Sequence, residues 1–208
     1  MKGNSLLLYV TDKTMDKIIK DYIDNLSSDG IPWHRMLTAY GTAENYSELL
    51  STLEQMDDVR EWKETYNNIL DFEHQSTMFP PAPFVLVFLV RILEKVLNSN
   101  TKSGDMIAKM LIDQFIYYVD VCIDAEETEH SQPLSNFSDM LDAKYLLPED
   151  FDDEFEEIFE NLDDISDELF YSFYYYSKMV LSQVPDILDK CGKYSDESRE
   201  LKSKFDFV

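Results

Sequence analysis

Apolar residues recur at helical spacing along almost the whole chain. Met15, Ile18, Ile19, Tyr22, Ile23 and Leu26 form the first stripe, with Thr14 placed to cap its start. Ser27-Ser28-Asp29-Gly30 ends that helix, and Ile31-Pro32 opens a connection. Ser47-Glu48 starts a second helix carrying Leu49, Leu50 and Leu53. A third runs from about Asp58, with Val59, Trp62, Tyr66, Ile69 and Leu70 on one stripe. Phe79-Pro80-Pro81-Ala82-Pro83 cannot be helix interior, because proline removes amide donors and fixes φ. It leads into a helix over Phe84 to Leu97 that is apolar on most sides, so this helix is expected at the buried centre.

The second half continues the pattern. Asn98 to Gly104 reads as a polar break, and Asp105 to Ile123 as a helix with Met106, Ile107, Met110, Leu111, Phe115, Tyr118 and Cys122 inward. Asp124 to Ser138 is polar and acidic and is expected to be an exposed loop. Pro148-Glu149-Asp150 can open a helix whose stripe is Phe151, Phe155, Ile158, Phe159 and Leu162. A long helix follows from near Ile165 through the aromatic run 169–176 towards Val184, and Pro185 kinks or restarts it. Ser195 to Lys204 is a short last helix. Leu6 to Val10 is the one strand-like stretch, and alone it makes no sheet. The expected fold is therefore all-α, antiparallel helix pairs in a single helical domain over residues 1–208.

The charge is lopsided: 18 Lys+Arg against 42 Asp+Glu, a formal charge of -24 on 208 residues. Such a chain repels phosphate backbones, which argues against nucleic-acid binding, and attracts basic partners. An aromatic content of 13% argues against a disordered acidic chain. Cys122 and Cys191 are too few for a disulfide framework and suit a reducing compartment. Leu6 to Val10 is too short for a signal-peptide core, and the longest apolar run, Phe84 to Val90, meets Arg91 well short of the ~20 residues of a membrane span. A cytoplasmic protein that binds no membrane is expected.

Catalytic signatures are missing. His34, His74 and His130 show no metal-ligand spacing, there is no Gly-rich phosphate loop, and the acidic run lacks the central Gly of a calcium loop. No catalytic residue, cofactor or metal ligand is assigned, and a non-enzymatic role is expected.

Between Trp33 and Leu97 several short motifs come in order: Trp33-His34-Arg35, Tyr40-Gly41-Thr42-Ala43, Leu49-Leu50-Ser51-Thr52-Leu53, His74-Gln75-Ser76-Thr77 and Ala82-Pro83-Phe84. This stretch resembles a family of bacterial HEAT-repeat-like proteins with a Tyr-Gly turn, a Leu-Leu-x-x-Leu helix, a His-Gln-x-Thr loop and an Ala-x-Pro-Phe helix entry. Ser76 stands where the family usually has Gly, and the second half matches no motif. The resemblance implies an α-solenoid-like scaffold for protein contacts, HEAT-like over 14–98, followed by an acidic, aromatic-rich helical part over 104–204. Some members of the family act as immunity proteins beside secreted toxins. Read from the residues themselves, Gly41 permits a positive φ at a turn into the next helix, and His74 and Gln75 are placed to bond carbonyls at a helix end or the loop backbone.

From Glu149 to Glu168 there are twelve acidic residues and no basic one, yet an apolar stripe survives among them. The face is either a solvated surface or a docking surface for a basic protein. The candidate partner-binding residues are Asp150, Asp152, Asp153, Glu154, Glu156, Glu157, Glu160, Asp163 and Asp164. In the helix of the aromatic run, Leu169, Phe173, Tyr176 and Val180 make one apolar stripe, and Phe170, Tyr174 and Leu181 lie beside it, which leaves Tyr171 and Tyr175 expected near the surface as dry anchors. The expected function is a non-catalytic protein-binding module, foremost a cognate immunity protein that occludes the active site of a basic bacterial toxin. Two alternatives stand beside it: a nucleic-acid mimic that inhibits a DNA-binding enzyme, and a metal-dependent enzyme using the acidic run.

Overall fold

The computed structural model describes residues 17, 19–55, 57–149, 151 and 165–205. Among them are seven α-helices: α1 Tyr46–Gln55, α2 Val59–Asn67, α3 Ala82–Ser99, α4 Lys102–Glu126, α5 Asp167–Leu181, α6 Val184–Cys191 and α7 Ser195–Phe205. Residues 19–24 are helical as well. The chain is mostly helical, as its periodicity requires. None of the described helices is long and apolar enough to cross a membrane.

Helix α3 is the centre. Pro81 caps it and Pro83 sits in its first turn, where a missing amide costs nothing. Phe84, Val85, Leu86, Leu89 and Leu93 are fully buried. Its C-terminus closes on Asn100 in the left-handed conformation, φ 52°. Thr101 then caps α4 at once by accepting from the Gly104 amide. The polar break expected over 98–104 is thus two residues long, because a left-handed Asn and a capping Thr suffice to reverse the chain. Gly104 is needed for this turn: a Cβ there would lie 2.7 Å from the Val96 carbonyl oxygen and 2.3 Å from Ser99 Oγ.

Helices α3, α4 and α5 pack on one another pairwise and enclose most of the core. Helix α1 packs on α2 and α3, and α2 on α4, so first helices meet first helices and second meet second. Helix α6 packs on α3, and α7 returns to α6 and α4. Pro185 restarts the helix rather than kinking it, since α5 ends at Leu181 and α6 begins at Val184. A single contiguous cluster of buried side chains runs from Ile19 to Leu201, so the two halves share one core. Asp58 caps α2 by accepting from the Arg60 and Glu61 amides. Trp33 fills the space between Tyr46 and Phe88, with its Nε1 donating to the Ser28 carbonyl. Cys122 and Cys191 are both free thiols; Cys122 is buried and Cys191 half-buried.

Two small hairpins depart from the expected all-helical pattern. Strand β1, Leu37–Thr38, pairs antiparallel with β2, Gly41–Thr42, and β3, Glu73–His74, with β4, Thr77–Met78. Strands of two residues leave no alternation to read in a sequence. Gly41 lies in β2 and not at a helix entry. The second hairpin turns through Gln75 and Ser76, both left-handed at φ 51° and 63°, as a two-residue type I′ turn demands. Asp71 joins the hairpins to α1: it accepts from Thr38 Oγ1 at 2.7 Å and from the Tyr46 hydroxyl, while its carbonyl accepts from the Ala39 amide at 2.9 Å.

Two stability outcomes follow from this geometry. Ser76→Gly relieves a left-handed non-glycine residue and should raise stability by about 0.5–1 kcal/mol. Gly104→Ala forces a Cβ against a helix carbonyl and should cost roughly 1–3 kcal/mol. Thermal melts of the two variants beside the parent check both signs.

Candidate partner-binding cleft

A concavity lies between the C-terminal half of α4, the loop after it and the start of α5. Its volume is about 630 Å³, and the tip of the second hairpin contributes Ser76 to its edge. The turn geometry of α4 brings Val121, Asp124 and Ala125 onto one side of it, at the i, i+3 and i+4 spacing of one helix face, and Thr128 follows just beyond the helix end. The loop residues Glu129, His130 and Ser131 form the upper wall. Asp167, Phe170, Tyr171 and Tyr174 of α5 form the opposite side by the same spacing rule.

The hairpin is held to this cleft by two tyrosines. The Tyr174 hydroxyl accepts from the Met78 amide at 3.2 Å and lies 3.4 Å from the Ser76 carbonyl. Tyr117 of α4 donates to Glu73 Oε1 at 2.9 Å, and the Ser76 amide donates to the same oxygen at 2.8 Å. Further out, the Tyr40 hydroxyl lies 3.1 Å from His74 Nδ1, with the two rings edge to face. His74 therefore joins the two hairpins instead of capping a helix end, and Gln75 serves as a turn residue. Tyr40 is 67% exposed and Tyr117 is partly exposed.

The electrostatics are one-sided. Asp124, Glu129 and Asp167 line the cleft, and among the described residues no Lys or Arg does. Several of the described cations are committed elsewhere: Lys178 to Glu126, Lys204 to Asp120, Lys109 to Asp113 and Glu197, Lys193 to Asp105, Lys202 to Asp189, and Arg35 to Glu149. His130 lies flat on Tyr171, ring centroids 3.6 Å apart at 11°, and its Nδ1 donates to the Ser131 carbonyl at 2.8 Å. Burial pushes the Tyr171 phenol above the ordinary tyrosine range, and Glu126 adds to the effect. The Tyr174 phenol is raised for the same first reason.

Of the residues singled out from the sequence, Asp150, Asp152, Asp153, Glu154, Glu156, Glu157, Glu160, Asp163 and Asp164 lie outside the described residues. Tyr175 is 37% exposed. Tyr171 is not at the surface: it is only 6% exposed, because the loop after α4 lays His130 over it. The exposed aromatic of that turn is Phe170 at 42%, which the stripe assignment had turned inward. The acidic character of the chain from Asp124 onward is legible in the sequence, but the meeting of Asp124 and Glu129 with Phe170 in one cleft is not. Among the described residues no group of three or more His, Cys, Asp or Glu side chains is placed to hold a metal ion. No family model, curated protein or solved structure matches the chain.

Tyr174→Phe leaves the buried Met78 amide without an acceptor. It should destabilise the protein by about 1–3 kcal/mol. Hydrogen exchange should show the Met78 amide losing protection ahead of the amides of α3.

Proposed function

We propose that the protein is a non-catalytic binding module that captures a basic protein, and foremost an immunity protein that occludes the active site of a cognate bacterial toxin in the cytoplasm. The observation that carries this is the cleft itself: three carboxylates with no cation among the described lining residues, next to an exposed phenylalanine. Charge without counter-ions steers a basic partner, and an apolar ring supplies the dry contact that holds it. The excess of 42 acidic over 18 basic residues extends the same bias to the whole surface. Occlusion needs no chemistry from this chain, only a surface complementary to a substrate groove. Neither nucleic acid nor membrane fits a surface of this sign.

The scaffold is read as HEAT-like over its first helices. The pairing of α1 with α3 and of α2 with α4 supports that reading, since stacked helix pairs meet like on like. The ordered motifs between Trp33 and Leu97 point the same way.

The test is co-expression with the protein encoded immediately beside it. A one-to-one complex on gel filtration and protection of the cells from that neighbour's toxicity are expected. The association rate should fall by roughly tenfold or more from low to high salt, as for a charge-steered encounter. Absence of both complex and protection overturns the reading. Competition with duplex DNA for several unrelated DNA-binding proteins would replace it with a nucleic-acid mimic.

A further inference from the structure

We propose that residues 129–132 form a hinged strap over helix α5, held down by one latch, the ring of His130 on Tyr171. Both ends of the strap are fixed. Thr128 closes α4, with its amide and its Oγ1 donating to the Ala125 carbonyl at 3.3 and 2.7 Å. Leu134 is tied to α5 twice: its amide donates to Ser172 Oγ at 2.8 Å, and its carbonyl accepts from the Tyr176 hydroxyl at 2.6 Å. Three residues on, Phe137 is buried against Phe84 and Tyr176. Pro133 stiffens the step into that anchor, because its ring fixes φ.

Between these anchors the strap has little to hold it. Among the described residues, no hydrogen bond or ion pair runs from residues 129–132 to either helix. The one side-chain bond, from His130 Nδ1 to the Ser131 carbonyl at 2.8 Å, stays inside the strap. Glu129, His130 and Gln132 are exposed. What reaches α5 is the imidazole ring, within 11° of parallel to Tyr171 and 3.6 Å away between centroids. Tyr171 beneath it is 6% exposed, while Tyr175, one turn further along the same helix, is 37% exposed. A segment anchored at both ends, with few buried contacts and no backbone hydrogen bonds between, opens locally while the rest stays folded. Residues 129–131 line the cleft between α4 and α5, so releasing the latch widens the cleft and uncovers Tyr171. The strap works in this way whatever the protein binds.

The test is NMR relaxation on the full chain, with His130→Ala and His130→Phe as variants. His130 is exposed, so neither change opens the core. In the parent, the backbone order parameters of residues 129–132 should sit near the ~0.85 of rigid backbone. In His130→Ala they should fall below about 0.6, while residues 134–141 and helix α5 keep their parent values. Oxidation of Tyr171 by hydroxyl radicals should then rise roughly threefold, with Tyr175 as the internal reference. His130→Phe keeps a ring on Tyr171 but loses the Nδ1 bond, and should hold the strap as the parent does. Loosening in both variants would place the hold in the Nδ1 bond and overturn the stacked latch. A strap that stays rigid in His130→Ala, one already loose in the parent, or a loss of order that spreads beyond Leu134 would each overturn the proposal as well.

Discussion

Helix α3 leaves almost no face for water, and the arrangement of the other helices follows from covering it. A helix with Phe84, Val85, Leu86, Leu89 and Leu93 all fully buried needs neighbours on every side. Helices α1, α4, α5 and α6 supply them. Each full burial of such a side chain contributes about 1.5–3 kcal/mol, and these gains offset the repulsion within a chain of charge -24. Even the polar side of α3 is used. Arg91 turns back to the carbonyls of Ile23, Asp24 and Leu26, closing the end of the helical residues 19–24. Burial lowers the Arg91 pKa from its usual value, but the guanidinium stays charged and keeps its donors on those carbonyls.

The same core explains where the cations go. With fewer than half as many basic as acidic residues, each Lys or Arg placed in an ion pair leaves other acids unpaired. Several of the described pairs tie distant elements together: Lys204 of α7 to Asp120 of α4, Lys109 of α4 to Glu197 of α7, and Lys178 of α5 to Glu126 of α4. Pairs that are largely exposed add little energy, but they fix the register of α7 on α4. Among the described residues, the face at the far end of α4, where Asp124, Glu129 and Asp167 line one cleft, receives no such partner.

The helices were legible because a 3.6-residue period survives any amount of surface charge. The inward residues of α5, Leu169, Phe173, Tyr176 and Val180, are buried where their spacing placed them. The hairpins were illegible because two-residue strands carry no period and the turn Gln75-Ser76 lacks a glycine. The stripe rule also failed at one turn of α5. It turned Phe170 inward and Tyr171 outward, since it could not foresee that His130, forty-one residues earlier, lies over Tyr171. The acidic segment that dominated the sequence lies, for residues 152–164, outside the described structure. The cleft instead draws on the quieter acidic stretch at the end of α4. It is built from residues on α4, its loop, α5 and a hairpin tip, a juxtaposition that no local pattern encodes.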